Sequence, residues 1–356
     1  MIPLVLDDTL IKQHLFPFTL TRSAADIRIG ILTIREKWEK LLGQKITVNG
    51  DDYLNPPTDN ERPVVFSGNI VPSKSFIESL SDGNYSQEQF MQQSSVRILQ
   101  HPWHIFEYND WALREDYILI TAGRKSQPAP SSVTTINPGN IFIEEGAKLQ
   151  HCVLNAATGP IYIGKNTEVM EGAIIRGPFA LCEGAAVKMG AKIYGATTIG
   201  PYCLVGGEIK NSVIFGYSNK AHDGYLGDAV IGAWCNLGAG TSNSNIKNTA
   251  GAVKIWNEAS NEFTTAGLKC GLFMGDYSRC SINTSFNTGT VVGACANVFG
   301  AGLTPAYIPN FSWGSNGNVK YIFEKALQDI SNWKKLKNQS LTEKEIQTLQ
   351  HIFERH

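Results

Sequence analysis

The pattern of hydrophobic and polar positions divides the chain in two. From Ile163 onward a large aliphatic residue returns at every sixth position: Ile163, Val169, Ile175, Leu181, Val187, Ile193, Ile199 and Val205. The positions four further on, Thr167, Ala173, Phe179, Ala185, Ala191, Thr197, Cys203 and Ile209, are mostly small. Gly, Asn and Pro recur between them, as in IGKNTE, IRGPFA and IGPYCL, and supply a turn in each repeat. An amphipathic helix does not repeat at six. A solenoid does: each six-residue unit gives one short strand and one turn on one side of a triangular prism, and three units make a coil. The frame returns at Tyr225, Ile231 and Leu237, and again at Leu268, Met274, Cys280, Phe286, Val292 and Val298. Two breaks interrupt it, at 211–224 and 242–267, and breaks in a solenoid are where loops leave the scaffold and sites are built.

The flanks read differently. In residues 1–125, PLVLDD and PVVFSGNIV have the look of strands, while ADIRIGILTIREKWEKLL and PWHIFEYNDWALRED have helical spacing, which makes this an α/β domain. SQPAPSSV marks an extended linker at 126–138, ahead of the repeats at 139–310. In 311–356, Val319, Ile322, Phe323, Leu327, Ile330 and Trp333 follow at helical spacing. Thr342 and Glu345 form a capping box ahead of a second helix. These helices are expected to pack on the prism or on a neighbouring subunit.

The 31 basic and 32 acidic residues leave a net charge of -1, so nothing draws the chain as a whole to nucleic acid or to an anionic membrane, and phosphate recognition must be local. The opening MIPLVLDD is too short for a secretory apolar region and no run approaches membrane-spanning length, so the expected address is the cytoplasm. The seven cysteines are odd in number, contain no C-x-x-C and all fall in the repeats, as reduced packing residues would.

The most specific signal is in residues 206–245. Glu208 and Lys210 are followed by Lys220, Ala221, His222, Tyr225, Leu226, Gly227, Asp228 and Ala229. Ile231, Gly232, Asn236, Leu237, Gly238, Ala239, Gly240, Thr241 and Asn245 continue the run. A lone I-G-A-G is scaffold, whereas H-x-x-Y-L-G-D-A with Asn eleven residues after Tyr is far more distinctive. The stretch closely resembles the acetyltransferase half of the bifunctional glucosamine-1-phosphate acetyltransferase and N-acetylglucosamine-1-phosphate uridylyltransferase family. The repeats resemble the left-handed parallel β-helix, an exception to the right-handed crossover rule.

The resemblance implies an acetyl-CoA-dependent acyltransferase of the N-acetyltransferase type, acting on a sugar phosphate or nucleotide sugar and assembled as a homotrimer. His222 takes the place of the general base; acetyl transfer needs one as the nucleophile attacks the thioester, and imidazole titrates in the right range. By the same resemblance Lys210 pairs with the sugar phosphate, Tyr225 and Asn236 contact the sugar, and Ala239 and Asn245 lie beside the acetyl and pantetheine end of coenzyme A. On the residues alone, Lys210 also reads as a solvated corner, Tyr225 as a core residue and Asn236 as part of a turn ladder. The family's phosphate-binding Arg falls near AKIYG, where only Lys192 is charged, a Ser beside the thioester aligns with Ile282, and the 242–267 loop lacks N-Y-D-G. The acceptor is therefore expected to differ. A zinc hydratase is excluded, because only His151 and His222 lie in the repeats, roughly 19 Å apart by strand stacking.

The N-terminal domain resembles the sugar-1-phosphate nucleotidylyltransferases in three segments, in the family's order. LFPFTLTRS is similar to L-x-P-L-T-x-x-x-P-K, PVVFSGNIVP to a strand ending in Gly-Asp, and HPWHIFEYN to a W-D-L-L-x-x-N helix. LVLDDTLIKQHLF lacks the glycines of the phosphate loop, and Gly68-Asn69 replaces the Gly-Asp metal ligand with an amide that holds Mg²⁺ poorly. Little or no nucleotidylyl transfer is expected, and Mg²⁺ only if it occurs. Arg22, Arg28, Arg35 and Lys37 are candidates for an anionic sugar nucleotide or are solvated helix charges. A nucleotidylyltransferase with an inert helix and a non-catalytic sugar-nucleotide-binding or assembly protein are the competing readings.

Overall fold

All eight aliphatic residues from Ile163 to Val205 point into one interior, none more than 1% exposed. The computed structural model describes residues 4–51, 53–55, 64–81 and 95–355. Pro3 and Pro63, at the heads of two expected strands, lie outside the described residues. Three all-parallel sheets form the sides of the prism. An open face of six strands runs from Thr134–Ile136 to Tyr225–Gly227. A ladder face of eight runs from Lys148–Leu149 to Asn297–Val298, and a docking face of nine from Ile141–Ile143 to Tyr307–Ile308. The helix begins inside the stretch read as linker, because Thr134–Ile136 already pairs with Val153–Asn155.

Two positions depart from the expected frame. Coils of eighteen residues recur, as from Ile174 to Lys192, but Thr198 pairs with Val213, fifteen on, and Glu208 with Tyr225, seventeen on. These shortened coils shift the register by one, so Leu226, at 1% exposure, is the core residue and Tyr225 faces outward. Leu268 is 62% exposed. It follows a β-hairpin, Val253–Asn257 with Glu262–Gly267, which occupies the second break, and is not part of a coil. That hairpin serves packing: Val253 and Ile255 are fully buried, and Trp256 stacks on Tyr307 at 4.6 Å.

The N-terminal region is built on a three-stranded parallel sheet, with Leu4–Asp7 between Thr47–Asn49 and Val64–Ser67. Its core does not close on itself. Leu6, Phe18, Trp38 and Phe76 share one apolar cluster with Val213, Phe215, Val230, Phe273 and Val291 of the prism. The segment expected as one helix over 25–42 splits. Ile27, Ile29 and Ile31 are buried, Arg28–Ile29 and Leu32–Thr33 pair as a hairpin, and the helix is Ile34–Leu42, started by a Thr33–Glu36 capping box. Asn109, wholly buried, joins the two parts. Its side chain accepts from the Gly30 N–H at 2.7 Å and from Thr198 Oγ1 at 3.2 Å, and donates to the Ala196 carbonyl at 2.9 Å.

At the C-terminus, helices Phe323–Lys335 and Glu343–Arg355 pack through Phe323, Ala326, Ile330, Leu349 and Ile352 against Tyr277, Cys295 and Phe311 of the prism. The Thr342–Glu345 box forms as expected. All seven cysteines are buried and free. Among the described residues no helix is long and apolar enough to cross a membrane.

Asn109→Ala strands the buried Gly30 N–H and Ala196 carbonyl, each worth about 1 to 3 kcal/mol when left unpaired. Urea unfolding should show a loss of about 2 to 4 kcal/mol; a loss below 0.5 kcal/mol, within the roughly ±0.5 kcal/mol range of ordinary surface substitutions, would deny Asn109 its joining role.

Candidate functional site

His222 lies in the turn between the ladder-face strand Asn219–Lys220 and the open-face strand Tyr225–Gly227. The backbone of this turn is held on three sides. Below it, a side chain at Gly207 would meet the His222 carbonyl at 2.7 Å, and Gly207 itself has φ +73°. Above it, Gly224, at φ +122°, lies so close to the Thr241 carbonyl that no Cβ fits. From inside the prism, the Lys220 ammonium donates to the carbonyls of His222 at 2.5 Å and Gly206 at 3.3 Å. The imidazole is exposed.

The residues singled out from the sequence fall on three successive coils: His222 and Ala239 in turns of this edge, Tyr225 and Lys210 on the open face beside it, Asn236 on the ladder face, and Asn245 toward the turn into the docking face. Lys210 sits on the coil before His222, paired with Gly227 across the open face. Tyr225 follows on the same coil as His222, half-buried and outward, its N–H donating to Ser242 Oγ at 3.0 Å. Asn236 and Ala239 belong to the next coil, Asn236 on the ladder face and Ala239 in the turn. Asn245 completes that coil. Its amide donates to Tyr225 Oη at 3.1 Å and to Asp228 Oδ2 at 2.6 Å. Asp228 is buried and also accepts from Asn211 at 2.7 Å. Burial and the neighbouring Asp228 carboxylate push the Tyr225 phenol well above its ordinary range, so it is a hydrogen-bonding hydroxyl, not a base. Asn236 stands in register between Asn219 and Arg279, whose guanidinium is buried over Trp333 at 5.5 Å.

The edge is polarised along its length. On coils before His222 the open face carries Arg176, Lys192 and Lys210, with Tyr194 donating to Glu208 at 2.6 Å. On coils after it, Ile282 is 67% exposed, and Phe299 and Leu303 are also outward. The other two edges are covered by the chain itself. Helix Asn109–Thr121 lies along one through Asn109 and Arg114, which donates to the Thr158 carbonyl at 2.7 Å. The C-terminal helices cover the other, where Tyr202, Tyr217 and Trp234 stack; Lys337 donates to the Tyr202 carbonyl and Lys334 lies over Trp234.

The N-terminal candidates are differently disposed. Arg22 pairs with Asp276 of the prism, Arg35 with Asp26 at 2.6 Å, Arg28 with Glu36 at 3.7 Å, and Lys37 with Asp116. Lys37 and Asp116 are both fully enclosed, so these side chains are neither a solvated set nor an assembled anion site. Asn69 is buried as a latch, accepting from Ser67 at 2.6 Å and donating to the Leu99 carbonyl at 2.8 Å. Sequence reasoning quoted Lys220 and Asp228 in the motif without giving either a role, and it passed over Arg176. Lys220 was findable only with the shortened coil, which puts it opposite Val205 at an inward position.

Residues 4–95 match the family model described as sugar nucleotidyl transferase. The chain thus joins a region similar to the sugar nucleotidyl transferases to a parallel β-helix. It is similar to a bifunctional sugar-1-phosphate nucleotidylyltransferase/acetyltransferase of Sulfurisphaera tokodaii, 29% identical over 56% of this chain and 43% of that protein. It is also similar to the bifunctional protein GlmU of Synechococcus elongatus, 23% identical over 62% of this chain and 55% of that protein. The chain spans about half the length of these relatives. The crystal structure of the polySia-specific acetyltransferase NeuO aligns with 59% of this chain and 99% of its own at 13% identity and a TM-score of 0.26, a likeness too slight to bear on chemistry.

Burial pushes the Lys220 ammonium down to about 8, against the pull of Asp223 and Cys280. An unfolded lysine keeps its proton to roughly 10.4. Between those values the unfolded chain binds more protons than the folded one, so this residue's contribution to stability rises with pH. Thermal unfolding of the wild type and Lys220→Met should show the wild type gaining on the variant as pH climbs from below 8 toward 10. A pH-independent difference would mean that the ammonium stays charged throughout.

Proposed function

We propose that the chain is an acetyl-CoA-dependent acyltransferase of the N-acetyltransferase type, acting on a sugar phosphate or nucleotide sugar, with His222 as general base. The observation that carries this reading is an edge of the prism that none of the described residues covers. An exposed imidazole on an immobilised turn stands there between coils bearing cations and coils bearing outward apolar side chains. The cationic side suits a phosphorylated acceptor: Lys210 would neutralise its phosphate, with Lys192 and Arg176 on the same face. Tyr225 and Asn236 would orient the sugar. The apolar side, Ile282 and Phe299 beyond Ala239, suits the pantetheine arm. Acetyl-CoA, when bound, supplies an activated thioester.

His222 then takes the proton from the acceptor's nucleophilic atom as that atom attacks the acyl carbon, and returns it to the departing thiolate. Asn245, whose amide is committed to Tyr225 and Asp228, holds the tyrosine hydroxyl in place. The assembly is a homotrimer in this reading, and the cytoplasm its compartment.

A second reading, sugar-1-phosphate nucleotidylyl transfer in the N-terminal domain, is favoured by the family match to residues 4–95. Its chemistry needs a phosphate loop and an anionic metal ligand, and the chain offers neither a glycine in LVLDDTLIKQHLF nor a carboxylate at Asn69. Mg²⁺ has no anchor at that latch.

Coenzyme A release, measured across amino sugars, sugar 1-phosphates and nucleotide sugars, tests the first reading. His222→Ala should lower turnover by about 10² to 10⁴ while acetyl-CoA binding by calorimetry stays within twofold. Lys210→Ala should instead raise the acceptor KM, and the defect should shrink on acceptors without phosphate. Wild-type turnover in the His222 variant removes it from the chemistry. Brisk pyrophosphate release from a sugar 1-phosphate and a nucleoside triphosphate would establish the second reading.

A further inference from the structure

Lys220 occupies a place where the fold calls for an apolar residue. The inward positions of the ladder face are Leu149, Val169, Val187, Val205, Leu237, Cys280 and Val298, each 5% exposed or less. Lys220 lies opposite Val205 in that row and is 3% exposed. An ammonium there loses its water, and no carboxylate lies within ion-pair distance among the described residues. A Val or Met would serve the core better.

What the ammonium does is specific. It bridges two main-chain carbonyls in consecutive turns of the same edge, Gly206 on one coil and His222 on the next. Both bonds are charge-assisted, and one is made by the residue proposed as base. Close backbone packing at Gly207 and hydrogen bonds from Gly240 N–H to the Asp223 carbonyl at 3.0 Å and from Glu208 N–H to the Gly224 carbonyl at 3.2 Å hold the rest of the turn, whereas the hydrogen bond to the His222 carbonyl comes from Lys220. Lys220 grips it from within.

We infer that Lys220 is a positioning residue: from the interior of the prism its ammonium fixes the main chain of the His222 turn and thereby aims the exposed imidazole at the acceptor. The role in acyl transfer rests on the reading of His222 given above, whereas the grip on the turn does not. A base held within a few tenths of an ångström of its target keeps its rate advantage, and a looser turn forfeits turnover before it forfeits binding.

Lys220→Met keeps the length of the side chain and removes the donors. Three measurements on the full chain decide the matter: thermal unfolding, hydrogen exchange of the peptide spanning 220–226, and steady-state acylation. Expected are a melting temperature equal to or above that of the wild type at pH 7 and exchange in the turn at least tenfold faster, with other coils unchanged. The kcat should fall by about 10- to 100-fold, with acetyl-CoA affinity within twofold. Unchanged exchange in 220–226 overturns the inference whatever the activity. A fall in melting temperature with faster exchange throughout the prism also overturns it, since the lysine would then support the coils generally. If His222→Ala acylates like the wild type, the acyltransfer reading fails, and the exchange data still decide whether Lys220 holds the turn.

Discussion

The nine-strand docking face is apolar on both sides, and the rest of the molecule is arranged around that fact. Parallel sheets are stable when both surfaces are buried. In a solenoid one surface faces the interior by construction, while the other needs a cover. Val213, Val230, Phe273 and Val291 point outward on this face, and each is wholly buried. Their cover is the N-terminal region, whose three-stranded sheet is too small to enclose a core of its own. Phe18, from the segment most like a nucleotidylyltransferase, meets Phe215 at 5.4 Å and Phe273 at 6.4 Å. Residues that carry the likeness to that family thus serve here as a docking surface.

The same constraint explains how Arg22, Lys37 and Asn109 are used. A polar group at a large apolar contact must find its partner inside it. Arg22 reaches across to Asp276, which also accepts from the Ala233 N–H at 2.7 Å. Burial drives the Asp116 carboxyl up and the Lys37 ammonium down, and the charge of each opposes the shift of the other. Pairs of this kind add little net stability, but losing one partner leaves an uncompensated charge, so they fix the arrangement more than they strengthen it.

The period of six made the prism legible, since it is a repeating steric demand that each coil states afresh. The Thr342–Glu345 capping box was legible for a similar reason: its partners are three residues apart. Where sequence reading failed, the deciding contact was distant. Ile27, Ile29 and Ile31 alternate as a strand does within a stretch read as helical, and the Gly30 N–H bond to the distant Asn109 fixes them outside the helix. Tyr225 sits at a multiple of six from Ile231, yet the coil beneath it is one residue short, and strand pairing, not counting, sets which side faces inward. The five candidate residues around His222 were named by resemblance; that they fall on neighbouring coils could be known only from the register.

That edge is singular for reasons that are structural before they are chemical. A triangular prism has three edges, and each turn along them exposes main-chain groups that a neighbouring element can cap. Helix Asn109–Thr121 caps one and the C-terminal helices cap another, with stacked Tyr202, Tyr217 and Trp234 at left-handed turn positions where Gly or Asn is usual. Among the described residues nothing covers the third along the coils from Gly206 to Thr241. A fold that only needed stability would fill the interior behind that edge with aliphatic side chains, as it does on every coil before it. Instead the coil is shortened, an ammonium is buried at a valine position, and its protons are directed to the carbonyl of the exposed histidine. The departures from the repeat converge on one turn of the edge that the described residues leave open, and stability alone offers no reason for that convergence.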